Sequence, residues 1–189
     1  MRQPQENDGR GAASGLPPEA AARHLLDETV VAMLTNDFDR FLACFTLPYI
    51  VASTEAVLTI RNVEQCRALF DTVTARYRTL GVDRFDRNIS SVVPDGPDSL
   101  RCVYSNRMFR AETDIGAPHH SYARMVRQQG RWLVQETHLT ASPARIPLEQ
   151  LTTTIPRTVP VDIEDPPEAI VQGCVNRLSR AYLEGDFAA

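Results

Sequence analysis

The feature that most constrains this chain is a change of hydrophobic period at Gly81. Before it, Val63, Cys66, Phe70, Val73, Tyr77 and Leu80 recur at intervals of three and four residues, which draws one continuous apolar stripe along an α-helix. Asn62, with Gln65 three residues on, supplies a capping-box start, and Gly81 supplies the stop. After Gly81 the pattern turns extended over 82–93, 100–111, 121–127 and 132–139. Pro94-Asp95-Gly96-Pro97 makes the first turn among these segments, and Gln128-Gln129-Gly130 closes the last pair as a hairpin. Helices first and a meander of long strands afterwards predict an α+β fold, with the helices packed on one face of a curved, largely antiparallel mixed sheet.

Upstream, Pro17-Pro18-Glu19 opens a helix, because proline suits the first turn and glutamate its positive end. Ala22, Leu26, Val30, Met33 and Leu34 give it an apolar stripe. Asn36-Asp37 interrupts that stripe; Phe38, Phe41, Leu42 and Phe45 resume it as a second short helix, which Leu47-Pro48 ends. Residues 49–52 and 57–60 read as two short strands about a turn. Residues 1–16, rich in Gly, Gln, Asn and Ala, read as a disordered arm.

All 20 basic residues are arginine; the chain has no lysine. That removes Schiff-base and pyridoxal chemistry and the phosphate-binding lysine of P-loops and kinases. A formal net charge of −4 argues against nucleic-acid and anionic-membrane partners, which need a basic excess. Arg76, Arg78, Arg84 and Arg87 are interleaved with Asp83 and Asp86, so the group reads as a solvated face. Cys44, Cys66, Cys102 and Cys174 form no C-x-x-C pair and no zinc-ligand spacing; each sits among apolar neighbours, as a buried thiol does. No stretch has the length of a membrane span and the first residues lack a signal-peptide core, so the expectation is a reduced, cytoplasmic protein without metal or cofactor.

Residues 166–187 echo residues 17–38. Pro17, Pro18, Glu19, Ala20, Ala32, Leu34, Asp37 and Phe38 recur as Pro166, Pro167, Glu168, Ala169, Ala181, Leu183, Asp186 and Phe187. The expectation is one domain over 17–142, a proline-rich linker over 143–165, and a C-terminal helix over 166–189 that resembles the first helix of a second copy.

Three stretches carry a family resemblance over residues 18–140: "LTNDFDRFLACF" in the opening helices, "PYIVAS…VLTIRNVEQCRALF" in the strand–strand–helix, and "SYARMVRQQGRWLVQETHL" in the closing hairpin, with its Gly130-Arg131-Trp132-Leu133-Val134 turn. In order and spacing they resemble the nuclear-transport-factor-2-like superfamily, which includes SnoaL-like cyclases and ketosteroid isomerases. The resemblance implies a cone: a curved sheet wrapped around helices, enclosing an apolar cavity. It also implies a homodimer through the outer face of the sheet. Ketosteroid isomerase-like members carry an aspartate base on the first strand; here 49–54 holds no carboxylate before Glu55. The Arg/Asp pairing of the family's epoxide hydrolases has no match.

Strand alternation nominates the site residues. Trp132, Val134, Glu136 and His138 share one face of the last strand, so Glu136 and His138 are the candidate acid–base pair. Cys102, Tyr104, Asn106 and Met108 share a face of the long strand, where Tyr104 and Asn106 are suited to donate to a ligand oxygen. His120 and Tyr122 share a side, opposite His119 and Ser121; being adjacent, His119 and His120 cannot both serve as metal ligands from a regular strand. Tyr49, Tyr104, Asn106, His120, Tyr122 and Trp132 are the candidate ligand-binding residues. The expected function is a dimeric domain that binds a small apolar or aromatic molecule without confirmed catalysis. The alternative is an isomerase or cyclase moving a proton beside a carbonyl, which requires Glu136 and His138 on the inner face of the sheet.

Overall fold

The computed structural model describes residues 16–54, 56–140 and 146–158. All of them lie in one compact unit that runs to Thr158. Helix α1 (Pro18–Thr35) starts on Pro17, whose carbonyl accepts from the Ala21 N–H at 2.9 Å. It stops where Asn36 turns left-handed, and Asp37 at once caps α2 (Phe38–Leu42) by accepting from the Arg40 N–H at 3.0 Å. Strands β1 (Phe45–Ala52) and β2 (Val57–Ile60) form an antiparallel pair.

Helix α3 (Val63–Leu80) has the ends the sequence predicts. Asn62 Oδ1 accepts from the Gln65 N–H, Gln65 Oε1 accepts from the Arg61 N–H, and Gly81 turns left-handed with φ +69°. A Cβ on Gly81 would stand 2.9 Å from Arg110 Cδ, so glycine also serves the close approach of this side chain.

Strands β3 (Arg84–Pro94), β4 (Ser99–Arg110), β5 (Thr113–Asp114), β6 (His119–Gln128) and β7 (Arg131–Leu139) complete the sheet. Its order is β2-β1-β7-β6-β4-β3, with β5 on β4; β1 runs parallel to β7 and the other pairs are antiparallel. Gln129 and Gly130 take φ +51° and +78° between Gln128 and Arg131, the two positive φ values of a type I′ hairpin.

Three irregularities interrupt the sheet, one of them between Phe45 and Ile50 in the pairing of β1 with β7. Pairing of β3 with β4 skips from Ile89 to Ser91, and pairing of β6 with β7 skips Gln135, between Val134 and Glu136. An extra residue on one strand sharpens the local twist and reverses the alternation beyond it. Ile89 and Val92 therefore both pack on the core, although they are three residues apart.

The structure corrects three expectations. Phe45 begins β1 instead of ending α2: it pairs with Val134, and its ring centroid lies 4.5 Å from those of both Phe41 and Tyr49. Pairing with β7 outweighs the helical spacing of the three phenylalanines. Leu47-Pro48, a cis peptide, lies inside that strand instead of ending a helix. Residues 146–158 of the expected linker belong to the domain: Ile146, Leu148, Leu151 and Ile155 are buried in the same core, and a 3₁₀ turn (Leu148–Leu151) packs on α3. Thr158 adds a hydrogen bond from its N–H to the Val57 carbonyl. Leu16 packs against the core; the remainder of the N-terminal arm, the linker beyond 158 and the repeated C-terminal helix lie outside the described residues.

Candidate functional site

The concave face of the sheet and the three helices line a partly open cavity of about 90 Å³. Leu26 and Met33 of α1, Phe41 of α2, Phe45 of β1 and Leu69 and Phe70 of α3 supply much of its apolar wall. The Phe41 and Phe70 rings lie 5.0 Å apart, and Phe38 meets Phe70 edge-on at 5.6 Å from behind.

The polar side chains fall on rows set by strand register. Arg87 of β3 stands opposite Asn106 of β4, and Asn106 opposite His119 of β6; all three line the cavity. The next row holds Tyr104 and Ser121, and the row after that holds Ala123, Thr137 and Val51. Arg87 binds across the interior. Its Nε donates to Asn106 Oδ1 at 2.9 Å, and its Nη1 donates to the Leu26 carbonyl at 2.8 Å and to Thr29 Oγ1. A guanidinium only donates, so Asn106 must present its oxygen to Arg87 and its amide nitrogen elsewhere. Asn106 Nδ2 reaches Ser121 Oγ at 3.0 Å, and Ser121 also hydrogen-bonds Tyr104. Tyr49 hydrogen-bonds Thr137.

Burial holds the phenols of Tyr49 and Tyr104 above their usual pKa, with the hydrogen bonds to Thr137 and Ser121 working the other way. Both stay protonated at neutral pH and act as hydroxyls. No Asp or Glu lines the cavity among the described residues. No group of three His, Cys, Asp or Glu side chains is arranged to hold a metal ion among them either.

The nominated residues separate into two sets. Tyr49, Tyr104 and Asn106 are buried on the cavity wall. Trp132 is buried on the inner face but off the cavity; Arg127 lies over its ring at 5.6 Å, and its Nε1 has no hydrogen-bond partner among the described residues. His120 is exposed, and its backbone N–H is bonded by Thr140 Oγ1. Tyr122 is half-buried on the outer face, edge-on to His138 at 5.6 Å.

Glu136 and His138 do not share a face with Trp132 and Val134. The Gln135 bulge turns Thr137 and Leu139 into the cavity instead and leaves Glu136 and His138 on the outer face, with side chains 26% and 50% exposed. There they form a pair: the His138 hydrogen bond holds the Glu136 carboxyl below its usual pKa against the opposing effect of burial, with Arg124 opposite adding to it. The acid–base constellation expected of them in the cone is not formed.

Two cavity residues were missed by the sequence reading, Arg87 and His119. Arg87 is not part of a solvated face with its neighbouring arginines. Phe85 and Ile89 stand two residues to either side of it, and that period-two signal marked Arg87 as inward-facing; the nearby aspartates obscured it. His119, instead of His120, shares its face with Ala123 and Met125, which are 1% and 0% exposed.

No protein-family model matches the chain, and no curated protein matches it in sequence. Solved structures do match its fold. A nuclear-transport-factor-2-like protein of unknown function from Shewanella oneidensis is 12% identical, with a TM-score of 0.54 over 66% of this chain and 100% of that one. A domain of unknown function with a cystatin-like fold from Nostoc punctiforme is 13% identical, with a TM-score of 0.53 over 86% and 97%. A putative ketosteroid isomerase from Shewanella frigidimarina is 10% identical, with a TM-score of 0.50 over 64% and 94%.

Proposed function

The chain has the nuclear-transport-factor-2-like fold, and we propose that it binds a small, largely apolar molecule inside the cone. A fold of this kind hosts many functions, so the reading rests on the site. The observation that carries it is the cavity itself: a partly open, concave space walled by aromatic and aliphatic side chains, with a few convergent polar groups on one side, is the usual form of a small-ligand site. Thermal shift and calorimetric titration of the full chain with small aromatic compounds test it. Toluene should raise the melting temperature of the wild type and should fail to do so in Ala123→Leu, which fills the cavity from its floor. A wild type that no small aromatic compound stabilises or titrates overturns the reading.

A second reading, proton transfer beside a carbonyl, is supported by one observation: His119, Tyr104 and Tyr49 face the same cavity. In it His119 would be the base and a tyrosine hydroxyl the oxyanion donor, roles for which Glu136 and His138 are wrongly placed. A panel of β,γ-unsaturated ketones tests it. Isomerisation by the wild type that is lost in His119→Gln supports it; no turnover by the wild type removes it.

For the outer face we propose a second copy of the chain as partner. Val93 and Val103 are 45% and 39% exposed there, beside half-buried Tyr122. Light scattering should give a dimer mass for the wild type and a monomer mass for Val103→Arg.

A further inference from the structure

We propose that the cavity's ligand is a small monocarboxylate, with its anionic group on Arg87 and its apolar body against the aromatic wall. The inference rests on the ligand-binding reading above and names the class of ligand.

The first argument is charge. Among the described residues Arg87 makes no ion pair, although seven other arginines do: Arg40, Arg84, Arg101, Arg107, Arg124, Arg127 and Arg157. Its hydrogen bonds run to a carbonyl, a hydroxyl and an amide, all neutral. Arg87 is half-buried, and a guanidinium partly withdrawn from water without a counter-charge carries part of the desolvation cost, which an anion bound beside it offsets. No lining carboxylate competes for the position or repels an incoming anion.

The second argument is the donor count. Nε gives its one hydrogen to Asn106, and the two hydrogens of Nη1 go to Leu26 and Thr29. Nη2 keeps both of its hydrogens. It is not among the sealed polar atoms that lack a partner, so a ligand atom can reach it. Three fixed bonds leave the guanidinium little freedom, so a ligand oxygen meets a donor already in place.

The third argument is size. An apolar cavity of about 150 Å³ holds benzene, with its six non-hydrogen atoms. On that scale about 90 Å³ holds roughly three or four, the body of a short-chain acid, and a larger acid such as benzoate extends through the open side of the cavity. A single cation and apolar walls favour one carboxylate over two.

Isothermal titration of the full chain with benzoate, benzamide and toluene at pH 7.5 tests the proposal. Benzoate should bind at least tenfold more tightly than benzamide, and the difference should vanish in Arg87→Met. Asn106→Asp is the companion variant should Arg87→Met fail to fold. It keeps the side-chain shape and supplies Arg87 with a carboxylate from within, so it too should abolish the preference for benzoate. Equal binding of benzoate and benzamide by the wild type overturns the monocarboxylate proposal and leaves cavity binding standing, and toluene binding alone does the same. A preference for benzoate that persists in both variants also overturns it. If none of the three binds, both readings fall.

Discussion

Deleting Gln135 alone should leave the faces of β7 intact, whereas deleting Gln135 together with Glu136 should exchange them. Gln135 is the extra residue of β7, opposite the junction of Arg124 and Met125 on β6. Without it Val134 still meets Met125, Glu136 still meets Arg124 and Thr137 still meets Ala123, so the strand becomes regular with the same side chains inside. The Gln129-Gly130 turn pins the start of β7, so removing both residues puts Thr137 opposite Arg124 and His138 opposite Ala123. A one-residue slip exchanges the two faces of a strand. Thr137 and Leu139 would then leave the cavity wall, and His138 would enter it. Turning Leu139 out forfeits part of the roughly 1.5–3 kcal/mol that burial of such a side chain contributes. Losing the Tyr49–Thr137 hydrogen bond adds about 1 kcal/mol. Bringing the His138 imidazole into the apolar wall without a partner adds about 1–3 kcal/mol. The sum, about 3–5 kcal/mol, is a large part of the stability of an ordinary domain.

Thermal melting followed by circular dichroism reads the effect. The double deletion should be unfolded at 25 °C or should melt more than about 10 °C below the single deletion. Gln135→Ala keeps the residue count and should stay within about 0.5 kcal/mol of the wild type. A double deletion that melts within about 2 °C of the single deletion would refute the claim that register with β6 sets the faces of β7.

Three further outcomes follow from local features. Burial raises the thiol of Cys44 to about 12 and those of Cys66 and Cys102 to about 11, so at pH 8 about one part in a thousand or less is thiolate; in a Cys174→Ser background the native protein should resist iodoacetamide, and three thiols should react in guanidinium. Gln129 sits at φ +51° at the first position of a type I′ turn, where asparagine is favoured, so Gln129→Asn should raise stability by about 0.5–1 kcal/mol in a denaturant titration. The Arg40 hydrogen bond holds the Glu28 carboxyl below its usual pKa, so the pair stabilises the fold above the ordinary glutamate range and loses that contribution as pH falls through the lowered value; Glu28→Gln should cost about 0.5–1 kcal/mol at pH 7, with a gap that closes below about pH 4.

How much was legible depended on whether the signal was local. Helix α3 was readable end to end because its stripe, its Asn62 cap and its Gly81 stop all lie within twenty residues. The final hairpin was readable because Gln129-Gly130 fixes its own geometry. Phe45 was misread because its partner, Val134, is far away in sequence, and no helical or strand period can register a contact at that distance. The linker was misread for a related reason: Leu148, Leu151 and Ile155 have helical spacing, but for barely two turns between Pro147 and Pro156, too short a signal to show that they and Ile146 are buried. The site suffered most, since a face assignment by parity is only as good as the assumption of a regular strand. At Tyr104 and Asn106 that assumption held, and both reach the cavity. At Glu136 it failed by one residue, and one residue suffices to move a carboxylate from the inside to the outside.

Arg87 raises the question of why evolution-neutral physics would keep a guanidinium where a methionine would pack. As a strut tying α1 to β3 and β4 it makes three charge-assisted bonds, each contributing about 1.5–3 kcal/mol. One of them satisfies the oxygen of the buried Asn106, so a methionine would pack but would leave that acceptor without a donor. Lysine would not reproduce the arrangement, because only a planar fork reaches the Leu26 carbonyl, Thr29 and Asn106 together while holding a further nitrogen open. What the charge supplies and methionine cannot is attraction for an anion. The two roles separate by readout: Arg87→Met should lower the melting temperature, because Asn106 Oδ1 loses its donor, and should also remove the preference for a carboxylate over its amide. A large loss of stability with the preference intact would assign Arg87 to the fold alone.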